Sequence, residues 1–319
     1  MKWHLLKIFL FVFCLSAFIF GNEEKCATPS HIGQKTVCTY ANDRPIVIDV
    51  YFPTKKGTAE VTDSCWELPP IAHDAPIPNH RLPLILISHG YRGARDEQIW
   101  LAEQLALAGY IVASLDHYGN TWKDPTPQGM IAMWHRPQDV SVAIDYLTTA
   151  SPFVDAIDSS NIGFVGFSVG GMTGLWLAGA EVKSIEALHH FAGESSEKVV
   201  ESIDFQEGMH SFRDPRISRF VLLAPRASEF TPESLHKIES PMLVIYGTED
   251  AVLSPHEHAL TISPAQTIAL PQAGHFVFLN PVTEEGKQVL SPALWEGNEE
   301  RPLFHRQVSQ EIILFLKLN

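Results

Sequence analysis

The chain is short of cysteine and of positive charge. Its 319 residues hold four cysteines, and none of them shows the Cys-x-x-Cys or Cys/His spacing of a zinc site, so a metal centre is not indicated. Lys and Arg number 23 against 37 Asp and Glu, a formal net charge of −14. Such a surface repels phosphate backbones, which argues against a nucleic-acid partner, and it disfavours charge-driven binding to anionic bilayers. Internal repeats and low-complexity tracts are missing, which argues against a solenoid or a disordered chain. Only one long apolar run exists, residues 8–20; none of about 20 residues follows it, so nothing downstream reads as a membrane span.

What is there begins with that run. Lys2, His4 and Lys7 precede it and Gly21 closes it, the layout of a cleaved leader. The expectation is a signal peptide over 1–21, one domain over 22–319, and a secreted or periplasmic product without a lipid anchor. The alternative is a retained N-terminal anchor, because Ile19 is bulky for a cleavage site. Losing Lys2 and Lys7 takes the charge from −14 to −16. Cys26, Cys38 and Cys65 then remain, and one pair among them can form in three ways.

With 45% hydrophobic and 19% charged residues the chain can bury a large core. Strands are expected at 34–40 and 44–52, then, after a Pro-rich connection over 54–81, at 83–88, 110–115, 161–167, 217–223, 242–246 and 266–270. Helices are expected at 96–109, at 137–147 with Val140, Ala143, Ile144 and Leu147 on one face, at 172–180, and at 307–318 with Val308, Ile312, Phe315 and Leu316 inward. Strands alternating with helices predict an α/β fold with a doubly wound, mostly parallel sheet, whose crevice lies at the carboxyl ends of the strands.

The strand at 161–167 runs into Gly166-Phe167-Ser168-Val169-Gly170, the Gly-x-Ser-x-Gly of a nucleophile elbow. A serine hydroxyl needs a base, an acid that orients the base, and amide donors for the oxyanion. Asp250 follows the strand at 242–246 and His275 follows the strand at 266–270, the order Ser, acid, His that this architecture requires. Glu249 is the fallback acid. The oxyanion donors expected are the amides of Val169 and of Tyr91, the latter in Ser88-His89-Gly90-Tyr91, where His89 is read as bracing the loop.

These motifs, together with Ser88 to Gly93, Ser114-Leu115-Asp116-His117-Tyr118-Gly119-Asn120-Thr121, Arg136-Pro137-Gln138-Asp139 and Gly274-His275-Phe276-Val277-Phe278-Leu279, resemble the dienelactone hydrolase and platelet-activating-factor acetylhydrolase-like branch of the α/β-hydrolases. The resemblance runs from about residue 34 to the C-terminus and implies Ser168, Asp250 and His275 as a catalytic triad. It also implies an α/β-hydrolase fold with a short insertion after the nucleophile helix. Two departures stand out. Dienelactone hydrolases proper use a cysteine nucleophile, so that substrate does not carry over to a serine, and Tyr118 stands where relatives often have proline.

For the substrate, the loop 120–136 hangs beside the expected crevice, and Trp122, Met130 and Trp134 are its candidate pocket residues; the alternative is that they cover the sheet edge or start a helix. The insertion 181–214 is too short for a deep lipase tunnel. The expected activity is a cofactor-free serine ester hydrolase on small to medium acyl esters, with transient contact to a lipid interface. Phospholipid or lysophospholipid acyl hydrolysis and polyester hydrolysis are alternatives, and a catalytically silent binding protein on the same fold is the non-enzyme reading.

Overall fold

Along the strand Leu82–Ser88, Leu84 and Leu86 enter one apolar cluster while Ile85 and Ile87 enter another. A strand apolar on both sides must be covered on both sides, and the rest of the molecule is arranged around that requirement. The computed structural model describes residues 31–317 apart from Glu194 and Glu296. The expected leader and Cys26 lie outside the described residues. Among the described residues Cys38 and Cys65 are free thiols and are not paired with each other.

In chain order the elements are β1 (His31–Ala41), β2 (Arg44–Thr54), β3 (Ile71–Ala72), β4 (Leu82–Ser88), α1 (Ile99–Leu107), β5 (Ile111–Leu115), α2 (Pro127–Ile131), α3 (His135–Thr149), β6 (Ile157–Phe167), α4 (Val169–Ala178), α5 (Ile185–His189), α6 (Glu197–Glu201), β7 (Ile217–Leu223), α7 (Pro232–His236), β8 (Met242–Gly247), β9 (Gln266–Leu270) and α8 (Arg301–Lys317). The nine strands form one sheet in the order β3-β1-β2-β5-β4-β6-β7-β8-β9. From β5 to β9 every pairing is parallel, and β2 pairs antiparallel with both β1 and β5. One cluster packs under α3 and α4, the other under α1 and α8, so the sheet is doubly wound. The strand order reverses at β4, whose neighbours are β5 and β6, and a crevice opens outside the carboxyl ends at such a switch point.

Several boundaries differ from the sequence expectation, for tertiary reasons. The helix expected at 96–109 starts at Ile99, because Glu97 and Gln98 are buried in the turns before it. Gly109, at φ +99°, ends it as expected. The helix expected at 172–180 starts at Val169, directly after the serine. The last helix begins at Arg301 rather than 307. Its first turns carry no apolar stripe; they are held because the Arg301 guanidinium donates to the Asn280 carbonyl at 2.7 Å and His305 stacks on Trp100 with centroids 3.7 Å apart. Beyond them Val308, Ile312, Phe315 and Leu316 are buried, each worth about 1.5–3 kcal/mol on full burial. No described helix is long and apolar enough to cross a membrane.

Candidate functional site

Three loops leave the carboxyl ends of β6, β8 and β9 and carry Ser168, Asp250 and His275. Ser168 sits between β6 and α4 at φ +55° and ψ −114°, a conformation that costs a non-glycine residue about 1–3 kcal/mol. Surrounding contacts hold it there. Its amide donates to the Leu223 carbonyl at 2.9 Å, and its carbonyl accepts from Gly171 at 2.9 Å and Arg226 at 3.0 Å. The flanking glycines are required by close approach: a methyl at Gly166 would overlap the Gly170 carbonyl, and one at Gly170 would overlap the Ser88 carbonyl.

Nε2 of His275 lies 3.0 Å from the Ser168 hydroxyl, and Nδ1 lies 2.7 Å from Oδ2 of Asp250. The other carboxylate oxygen, Oδ1, accepts from the amides of Val252 at 2.9 Å and Leu253 at 2.7 Å. An acceptor-only carboxylate facing Nδ1 assigns the proton to Nδ1, which leaves Nε2 as the acceptor for the serine proton. All three residues are buried, Ser168 and Asp250 at 7% exposure and His275 at 4%, so little water competes for these bonds. The fallback acid Glu249 is exposed and does not join the chain.

The amide of Val169 opens α4 and that of Tyr91 follows Gly90. Among the described residues neither donates to a protein acceptor. A methyl built on Gly90 would stand 3.5 Å from the Ser168 Cβ, so the Gly90 backbone passes directly beside the serine. Open amides on two segments next to Ser168, one of them at a helix N-terminus, would suit a developing oxyanion. His89 is buried, donates through Nδ1 to the Gly90 carbonyl at 2.7 Å and accepts through Nε2 from the His117 amide at 3.3 Å, so both ring nitrogens are engaged. Burial and the neighbouring Arg136 push its pKa well below the usual histidine range.

The pocket candidates part company. Trp122 is exposed at 47%. Met130 is half-buried, and its carbonyl accepts from the Tyr91 hydroxyl at 3.3 Å. Trp134 is 1% exposed and belongs to the core. Phe205 packs on it with centroids 5.5 Å apart, Gly208 lies against its ring, and its Nε1 donates to Glu207 at 3.2 Å. The insertion between α4 and β7 therefore closes over Trp134, and this tryptophan anchors the insertion.

A second Ser-His-Asp chain lies under the first and escaped sequence reasoning as a site. Ser88 Oγ is 2.9 Å from His117 Nε2, and His117 Nδ1 is 3.0 Å from Asp139 Oδ2. All three are 0–1% exposed, so no substrate reaches them. Arg44 pairs with the remaining Asp139 oxygen at 2.9 Å. Burial lowers the His117 pKa well below its usual range and raises that of Asp139 to about 6. The residues had stood out only within the motifs 114–121 and 136–139; the contact among β4, the loop after β5 and α3 gives them a common purpose. Among the described residues no group of three or more His, Cys, Asp or Glu is placed to hold a metal ion.

Comparison with known proteins bears on the fold first. A family model described as alpha/beta hydrolase fold matches residues 83–213. Two cutinases of Thermobifida alba, est1 and est2, are each 35% identical over 105 residues, which is 32% of this chain and 32% of theirs. The chain thus spans about a third of the length of the curated relatives it matches. The solved structure of a ferulic acid esterase from Streptomyces cinnamoneus aligns over 92% of this chain and 90% of that one, with a TM-score of 0.60 and 16% identity. That likeness concerns the fold, and the chain has the α/β-hydrolase fold.

Proposed function

We propose that this protein is a serine carboxylic-ester hydrolase working through an acyl-enzyme. The observation that carries the reading is the unbroken hydrogen-bond path from Ser168 Oγ through His275 to Asp250, with two open amides beside the serine. Ser168 attacks the ester carbonyl while His275 Nε2 takes its proton; the carbonyl oxygen becomes an oxyanion held by the Val169 and Tyr91 amides. Collapse expels the alcohol, which receives the proton from His275. Water then attacks the acyl group, giving a proton to His275, and the acid leaves as Ser168 regains its hydrogen. Asp250 holds the imidazole by accepting from Nδ1.

Relatives named cutinase and a structural neighbour named ferulic acid esterase support ester substrates. Small to medium acyl esters fit best, because Phe205 and Gly208 of the insertion are committed to packing on Trp134 and do not extend a tunnel. The sequence likeness to the acetylhydrolase-like branch makes a short-acyl phospholipid the second substrate to try. The leader over 1–21 and a single domain over 22–319 complete the proposal, with export to the periplasm or medium.

A fluorophosphonate probe is the direct test. Labelling of the native chain and none of Ser168→Ala is the expected result; a folded native chain that resists labelling refutes the reading and favours a silent binder. Nitrophenyl esters of rising length, assayed beside a phospholipid, then set the acyl range. A rate that climbs steadily with length and jumps at micelle formation overturns the small-ester assignment.

A further inference from the structure

Arg136 is the least expected residue of the interior. It is 1% exposed, and among the described residues no carboxylate is within hydrogen-bond reach of its guanidinium. Burial pulls its pKa down to about 9, so it remains a cation at neutral pH. Every hydrogen bond it makes goes to a neutral acceptor. One NH2 group donates to the Gly90 carbonyl at 3.4 Å and to Asn120 Oδ1 at 3.2 Å; the other donates to Ser88 Oγ at 3.2 Å and to the His89 carbonyl. Nε has no partner. A buried cation without an ion pair is costly, and packing alone gives no reason for it.

The acceptors explain its place. Gly90 C=O and Tyr91 N–H belong to one planar trans peptide, so they point in opposite directions. The carbonyl is drawn into the interior by His89 Nδ1–H at 2.7 Å and by Arg136. The Tyr91 N–H therefore points away from these donors, and the Gly90 backbone that precedes it lies beside Ser168. A cation on the carbonyl also polarises the peptide and strengthens its N–H as a donor. The sealed chain Asp139, His117, Ser88 continues the brace: Asp139 accepts from His117 Nδ1–H, Ser88 donates to His117 Nε2, and the Ser88 oxygen so oriented accepts from Arg136.

We propose that Arg136 and His89 are positioning residues for the oxyanion site: by clamping the Gly90 carbonyl they fix and polarise the Tyr91 amide, and the buried Ser88, His117 and Asp139 chain sets the clamp. This inference rests on the ester-hydrolase reading. Its signature is a loss of transition-state stabilisation with ground-state binding and the pH profile of kcat/KM untouched. That pattern separates it from a purely structural role.

The experiment uses the full chain and the variants His89→Leu, His89→Asn and Arg136→Met, each first checked for a cooperative thermal transition. Native enzyme that neither labels with fluorophosphonate nor cleaves nitrophenyl acetate refutes the underlying reading. If the native enzyme is active, His89→Leu is expected to lower kcat by roughly 10-fold to 10²-fold, below or at the effect of losing an oxyanion donor outright. KM should change less than about 3-fold, and the acidic limb of kcat/KM should keep its midpoint. His89→Asn, whose side-chain amide can replace the Nδ1 donor, is expected to recover most of the lost kcat. Arg136→Met is the second loss variant; if it does not fold, the two His89 variants decide alone. An unchanged kcat in folded His89→Leu, a loss expressed mainly in KM, a shifted acidic limb, or an Asn variant no better than Leu would each overturn the clamp while leaving the hydrolase reading in place.

Discussion

Asp250 meets His275 through one carboxylate oxygen, at 2.7 Å, while its other oxygen is tied to the backbone of the following turn by two amide bonds. The acid is thus anchored before it orients the imidazole. Asp250→Asn keeps the shape and the Oδ1 acceptor but presents an NH2 group to Nδ1, forcing the proton to Nε2 and removing the base. The expected result is a loss of kcat on the order of 10³-fold to 10⁴-fold with a melting temperature near the native one, read by nitrophenyl ester kinetics and thermal unfolding.

Gly170 faces the Ser88 carbonyl with no room for a Cβ. Gly170→Ala must push the start of α4 away from the end of β4, the two segments next to the proposed oxyanion amides. Overpacking of this kind costs about 1–3 kcal/mol. Denaturant unfolding should register that loss, and kcat should fall with it; a variant of native stability and native rate would contradict the close approach.

Trp134 and Trp122 lie on either side of α2 in the connection from β5 to α3 and should behave oppositely. Trp134→Ala removes a core side chain packed on Phe205 and Gly208, an expected destabilisation of about 3–5 kcal/mol. Trp122→Ala removes an exposed ring, and its stability should stay within about 0.5 kcal/mol of native. If Trp122 contacts substrate, KM rises for the longer esters alone, which a chain-length series will detect.

His305 gives the fold an acid-side weakness. It donates through Nε2 to the Val277 carbonyl at 2.9 Å, stacks on Trp100, and burial holds its pKa at about 3. An unfolded histidine titrates near about 6.5. Between these values the unfolded chain carries a proton that the folded chain refuses, so stability is fully present above about pH 6.5 and declines as pH falls toward about 3, by at most about 1.4 kcal/mol per unit. His305→Phe retains a ring for the stack and removes the titration. Urea unfolding between pH 4 and 7 should give a shallower pH slope for the variant, and identical slopes would refute the assignment.

Much of this was legible in the chain. Strands β4, β7 and β8 could be read from short apolar runs bounded by turn residues, and α3 from its stripe of Val140, Ala143, Ile144 and Leu147. Ser168, Asp250 and His275 stood out because each follows an expected strand, and a parallel sheet delivers all its carboxyl ends to one edge. The start of α8 was not legible, since its first turns depend on Asn280 and Trp100, both distant in the chain. Nor was Trp134's place in the core: an aromatic in a loop reads alike whether the insertion covers it or solvent does.

Local order along the chain therefore determined the alternation of strands and helices and the edge at which the proposed triad side chains would emerge, because hydrophobic period and turn chemistry are properties of neighbouring residues. Which polar groups meet in the interior was decided only by the tertiary structure. Arg136 on α3, Ser88 at the end of β4 and His117 after β5 are strangers in sequence, and the sheet's reversal at β4 brings them together beneath the Gly90 peptide. A hydrogen bond depends on distance in space, which residue order does not record.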